Sequence, residues 1–299
     1  MSRRHLIMLL ALSAIWGASF MFIKVGVREL EPATLIFVRI GLAAVTLVAI
    51  VPLLMPARRA AAAMLASAAP LAVMGLVNSA IPFWLISWAE VRIDSGVTAI
   101  LQACAPLFAA LLAWRLSRSE QLDGARLAGV VVGFVGVAVL VGGVPGGAGG
   151  NLVAALAVVL SGLCYAAAAL YGARRLADVQ PLLIATGSMI AGTIMTAPFG
   201  LAQLPAELPG WKVTASVAAL GIVGTAFAYI LYYGLITGAG ASRAILVTYL
   251  VPAIALLYGV ALLGEPLTAA AVVGLALVLA GVALGTGALR AAPARVPAG

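Results

Sequence analysis

The sequence predicts an all-α membrane protein of ten transmembrane helices, built as two inverted five-helix repeats with both termini cytoplasmic. Three observations predict it. Of 299 residues, 65% are apolar and 9% charged, whereas soluble domains carry roughly a quarter charged residues. The apolar residues gather into runs of about 20, the length that crosses about 30 Å of hydrocarbon. The second half of the chain also repeats the first.

The runs span residues 6–27, 33–55, 67–88, 95–116, 125–141, 152–173, 182–204, 213–237, 241–263 and 267–289. They are apolar all round, unlike the alternating ten-residue segments of a β-barrel. The first follows Arg3 and Arg4 but continues through Trp16, Phe20 and Phe22 without a small-residue cleavage site, so it reads as a helix rather than a signal peptide. With a cytoplasmic N-terminus, that side holds Arg3, Arg4, Arg58, Arg59, Arg115, Arg118, Arg126, Arg174, Arg175, Arg243, Arg290 and Arg295. The opposite side holds Arg28, Arg92 and Lys212, and Lys24 and Arg39 lie inside helices. Twelve against three satisfies the positive-inside rule.

The repeat is an ordered series. Gly75-Leu-Val recurs as Gly221-Ile-Val and Pro106 as Pro252; after a one-residue slip, Glu120, Gly129, Gly136 and Val137 recur as Glu265, Gly274, Gly281 and Val282. Five helices are an odd number, so the second copy enters the membrane inverted, as in secondary transporters. The expected units are residues 1–143, a Gly-rich connector at 144–150, residues 151–290, and a disordered tail at 291–299.

One His and two Cys, Cys104 and Cys164, leave almost no ligands for zinc, haem or a disulfide framework. The net charge of +8 forms no basic tract, which excludes nucleic acid as a partner. The chain has no His-Glu-x-x-His, no phosphate loop and no aspartate pair at membrane depth, so neither an enzyme nor an ATP-driven pump is expected. Gly147-Ala-Gly149 and Gly238-Ala-Gly240 lack the third glycine and the preceding strand of a dinucleotide site and read as loops. No cofactor and no metal are expected.

Trp16-Gly17 with Lys24, Pro32 with Arg39, Pro106 with Glu120, and Pro252 with Leu263-Gly264-Glu265 carry a resemblance to the EamA family of the drug/metabolite transporter superfamily. Within it the chain looks most like the YddG-type amino-acid exporters. The first half departs in having Ser119-Glu120 where the second has Gly264-Glu265. The resemblance implies a multi-pass carrier of small metabolites in the bacterial cytoplasmic (inner) membrane, often an exporter of amino acids, with a cavity between the repeats.

Polar residues deep in apolar spans mark the candidate site, because lipid offers them no partner. In helix 1, Ser13, Trp16, Phe20 and Lys24 share one face; Lys24 either overlooks the groove or snorkels to the interface. Arg39 is deeper, about 10 Å along its helix from Pro32, and reads as structural, paired with Glu29, Glu31 or Glu90. Thr98, Gln102 and Pro106 fall at i, i+4, i+8 and match Ala244, Thr248 and Pro252; each proline frees a backbone carbonyl and sets a hinge or kink. Asn78 and Ser79 face Thr225 in the repeat, and Phe83 faces Tyr229. Trp16, Tyr165, Tyr229 and Tyr249 are too deep for an interfacial belt and suit an aromatic or apolar ligand. Trp84, Trp88 and Trp114 read as belt residues.

The candidate substrate contacts are thus Trp16, Lys24, Asn78, Ser79, Thr98, Gln102, Tyr165, Thr225, Tyr229, Thr248 and Tyr249. A positive field without a midplane carboxylate favours a zwitterionic amino acid over a bare cation. Its carboxylate is expected at Lys24, its ammonium at the carbonyls freed near Pro106 or Pro252. The nine acids sit near span ends or in loops, so transport is expected to be facilitated or weakly coupled. The alternatives are a proton-coupled multidrug or metabolite efflux carrier and, from another class, a passive channel or pore; the latter lacks a hydrophilic path or filter motif. The small-xxx-small glycine stripes read as intramolecular packing, and the protein is expected to be a monomer whose partners are its small-molecule substrate and the bilayer.

Overall fold

The computed structural model describes residues 1–116, 124–142 and 150–286. Arg118, Glu120, Gly147-Ala-Gly149, nearly all of the connector, Arg290, Arg295 and the tail lie outside the described residues. Among the described residues all regular structure is helical. Eight helices are long and apolar enough to cross a membrane: α1 (Arg3–Gly26), α2 (Pro32–Leu54), α3 (Ala68–Glu90), α4 (Ser95–Arg115), α5 (Gly124–Gly142), α6 (Asn151–Arg175), α7 (Pro181–Ala202) and α8 (Trp211–Ala239). Two shorter apolar helices follow, α9 (Val247–Leu263) and α10 (Ala269–Gly285). A surface helix, Ala57–Ala66, occupies the turn after α2, between the expected spans 33–55 and 67–88.

Local chemistry sets these boundaries. Ser2 and Thr268 accept backbone N–H bonds at the starts of α1 and α10, and Pro32 and Pro181 open α2 and α7 where no N–H is required. Gly264, at φ +71°, ends α9 in the left-handed conformation. The two prolines expected to disrupt α4 and α9 act differently. Before Pro106, α4 divides into Ser95–Gln102 and Ala105–Leu116, and Cys104 N–H reaches only three residues back, to Leu101 O at 3.2 Å. Pro252 instead sits inside a continuous α9, and the break lies upstream, between Ala241–Ala244 and Val247.

The repeated Gly-x-Val segments carry the same local feature in both halves. Each forms one π-helical turn, Gly75–Ala80 within α3 and Ile222–Phe227 within α8. Ile81 N–H donates five residues back to Leu76 O, and Thr225 Oγ1 donates to Leu220 O at 2.9 Å. Such turns alter helical register and commonly accompany functional sites.

Repeat-related glycines set the closest approaches between helices. On α5 and α10, a Cβ on Gly129 would meet Gly281 O at 2.8 Å, and one on Gly136 would meet Gly274 O at 3.0 Å. The partner of each is the repeat equivalent of the other. The same reciprocity joins α3 to α7 and α8 to α2: a Cβ on Gly75 would meet Ser188 O at 2.6 Å, and one on Gly221 would meet Leu42 Cβ at 2.8 Å and Arg39 O at 2.9 Å.

One end of the bundle, here the far end, gathers the α1–α2, α3–α4, α7–α8 and α9–α10 turns. Lys24 Nζ donates to Glu90 O at 2.7 Å and Ile93 O at 2.9 Å. The Glu265 carboxylate accepts from Ser95 N (2.8 Å), Ser95 Oγ (3.0 Å) and Gly96 N (3.1 Å), capping α4 where its orphan N–H groups and dipole favour an anion. Glu29 accepts from Gly210 N at 2.6 Å, and Thr34 Oγ1 donates to Gly200 O and Gln203 O. The last three sets of bonds join one half of the chain to the other.

Candidate functional site

A cavity of about 720 Å³ runs between the halves. Its floor, towards the far end, is made by Ile23, Arg39 and Ile86; its other end reaches Trp114, Arg126, Ile245 and Thr286, where α4 and α10 end and α5 begins. The size suits a small metabolite.

The walls divide by half. From the second half, α8 supplies Tyr229, Tyr232 and Tyr233 at i, i+3, i+4, one helical face. Tyr229 stacks on Tyr233 at 6.0 Å between centroids, Tyr233 meets Tyr232 at 5.7 Å, and Tyr232 meets Trp16 of α1 at 5.2 Å. From the first half come Asn78, Gln102 and Arg39, while Thr225 and Thr248 add hydroxyls from the second. Asn78, within the α3 π-turn, donates from Nδ2 to the Tyr229 hydroxyl at 3.1 Å. Gln102 lines the wall beside Ala103 and Pro106, and the carbonyl of Gln102 has no N–H four residues on, because that residue is Pro106.

Arg39 is the principal charge at the floor. It is 6% exposed, its Nε donates to Thr225 Oγ1 at 3.1 Å, and its guanidinium carbon lies 3.7 Å from the Phe83 ring centroid. These contacts fix its plane. Among the described residues its two terminal amino groups make no hydrogen bond, and they stand at the cavity wall. They are free donors for a planar, bidentate acceptor such as a carboxylate. No three His, Cys, Asp or Glu side chains among the described residues converge as a metal site.

Residues 3–142 and, again, 152–286 match the EamA-like transporter family. The chain belongs to that family. It is therefore a membrane transporter. It is 30% identical over 270 residues to an uncharacterized transporter of Archaeoglobus fulgidus, covering 89% of this chain and 93% of the relative. It is 31% identical over 282 residues to a probable terminal-alkyne amino-acid exporter of Streptantibioticus cattleyicolor, covering 90% and 89%. An inner membrane transporter of Escherichia coli, YedA, is 27% identical over 271 residues, covering 87% and 83%. A solved crystal structure superposes with a TM-score of 0.63 at 18% identity, over 96% of this chain and 98% of its own, and so shares the fold.

Within this transporter, Trp16, Asn78, Gln102, Tyr165, Thr225, Tyr229 and Thr248 meet at the cavity, joined by Arg39, Pro106 and Pro252. Lys24, Ser79, Thr98 and Tyr249 do not line it. Lys24 turns to the helix-end carbonyls instead; Thr98 is buried and donates to Asp94 O at 3.0 Å; Tyr249 points to Thr286 at 3.2 Å; Ser79 is buried within the π-turn. Arg39 is not held by a carboxylate as expected: Glu29 is engaged with Gly210, and neither carboxylate oxygen of Glu90 has a partner. Tyr232 and Tyr233 went unrecognised, although their spacing from Tyr229 signals one face. Trp114 is 44% exposed and also reaches the cavity mouth, so it does more than anchor an interface.

Proposed function

We propose that this protein is a secondary carrier that exports amino acids with neutral or aromatic side chains across a bacterial inner membrane by alternating access. In this reading ten helices form two inverted repeats, residues 1–143 and 151–290, joined by the 144–150 connector. The reciprocal glycine contacts support that symmetry, and the excess of basic residues at the near end supports cytoplasmic termini. The cavity then faces the cytoplasm and the far end is the closed outer gate. The glycine stripes of α5 and α10 are used within the chain, which supports a monomer.

The observation that carries the reading is Arg39, a buried cation with free donors beside a wall of aromatic rings. A substrate carboxylate docks on the guanidinium. The ammonium meets the freed carbonyl of Gln102, and the side chain lies among Trp16, Tyr229 and Tyr232. The amino-acid exporter among the relatives is in keeping with this chemistry. Efflux of cationic drugs is disfavoured, because none of the described residues that line the cavity carries a carboxylate. Counterflow in proteoliposomes tests the proposal. Labelled phenylalanine is expected to accumulate transiently against saturating unlabelled phenylalanine inside. A pore gives no trans-stimulation, and that result overturns the carrier reading.

A further inference from the structure

Glu90, the last residue of α3, is 0% exposed, yet neither of its carboxylate oxygens has a hydrogen-bond partner. Its own carbonyl accepts from Lys24 Nζ at 2.7 Å, and Ile93 O accepts from the same ammonium at 2.9 Å. Lysine and acid are neighbours that do not pair: two of the three ammonium N–H groups go to backbone carbonyls, and none reaches the carboxylate. The charges that reach Glu90 come from Lys24 on α1, Glu265 after α9 and Arg39 on α2. Asp94 stands on the turn just beyond, before α4. The arginines of α6, which also packs on α3, lie at its other end, Arg174 and Arg175. An ionised carboxylate with no partner in a dry site costs several kcal/mol. The closed far end therefore requires Glu90 as the neutral acid.

We propose that Glu90 is a proton-binding site that latches the outer gate. Closed, the gate holds one proton on the Glu90 carboxyl. When α1 parts from the α3–α4 turn, Lys24 loses its two carbonyls and water enters. The carboxyl O–H bond then breaks, the proton leaves to that water, and the carboxylate is held ionised by the hydration it gains. Glu90 lies one helical turn beyond Ile86 and does not line the cavity, so the proton returns from the side to which it left. The latch senses outer pH without driving uphill transport.

Asp94 acts in the same sense. Burial first, and then Glu265, push its carboxyl above the usual range, with Lys24 opposing. A carboxyl that holds its proton more tightly in the closed form makes acid favour closure, and that preference is lost as pH rises through its closed-state pKa.

The inference rests on the alternating-access reading, and its test reads the gate without substrate. Spin labels are placed at Arg92→Cys and Lys212→Cys, exposed positions on the α3–α4 turn and the start of α8, in the full chain with Cys104 and Cys164 replaced by Ala. Pulsed EPR then follows the inter-label distance in liposomes as pH is raised. The long-distance population is expected to rise by up to about tenfold per pH unit, the limit for one proton. Glu90→Gln is expected to stay short throughout, while Asp94→Asn and Glu90→Asp keep the response. A Glu90→Gln protein that follows the unmodified curve, an unmodified protein whose distance ignores pH, or loss of the response in Asp94→Asn alone overturns the latch. Each of these outcomes leaves the amino-acid reading, tested by counterflow, where it stood.

Discussion

The far end and the cavity floor each hold a basic side chain from the first half, and the two are used in opposite ways. Lys24 donates to two carbonyls at the end of α3 and so joins α1 to the α3–α4 turn. Arg39, fifteen residues on, is oriented by one hydrogen bond and one ring, and its terminal amino groups remain open to the cavity. A compact ammonium on a flexible stem reaches scattered carbonyls; a rigid fork, once its plane is fixed, keeps donors in reserve. The second half offers no such charges at the positions related by the repeat, where Arg39 corresponds to Ala185 and Glu90 to Ile236. It supplies the cavity's tyrosines instead. A symmetric scaffold thus carries an asymmetric chemistry, in which the packing glycines repeat and the charges of Arg39 and Glu90 do not.

The most damaging change breaks the scaffold on which both regions depend. Gly281→Leu places a side chain against Gly133 and within 2.7 Å of Gly129 O, where neither backbone can give. Loss on the order of 3 kcal/mol is expected, read as a drop in thermal unfolding temperature in detergent with both the far-end contacts and the cavity lost together. A smaller effect separates the regions. Lys24→Met removes two charge-assisted bonds from the far end, and the closed gate is expected to lose about 1–3 kcal/mol. Binding of phenylalanine and of its uncharged amide should then shift by the same factor in isothermal titration, since Lys24 touches neither. A selective loss of phenylalanine binding would return Lys24 to the site.

The multi-span helical architecture was largely legible because lipid imposes it: run length and the glycine and proline series need no tertiary knowledge. The break at Pro106 followed from a missing N–H. That Pro252 would leave α9 continuous did not follow, because neighbouring helices decide whether a freed carbonyl bends the chain. For the site, position along a helix indicated depth but not direction. Lys24 shares a face with Trp16, but its long stem lets the ammonium climb to the next turn. Arg39 looked structural because three acids lay at its depth; sequence cannot show that Gly210 takes Glu29 or that Thr225 and Phe83 take the guanidinium. The burial of Glu90 was hidden for the same reason, since a residue at the end of a span is exposed only if no neighbouring turn folds over it.

The central claim is that Arg39 receives a substrate carboxylate. The most direct test is calorimetric titration of Arg39→Gln with phenylalanine and with phenylalaninamide, with helicity checked by circular dichroism. Loss of a charged hydrogen bond predicts about 1.5–3 kcal/mol weaker binding of the amino acid, roughly ten- to a hundredfold, and little change for the amide. Equal losses for both ligands, or none for either, would contradict the account.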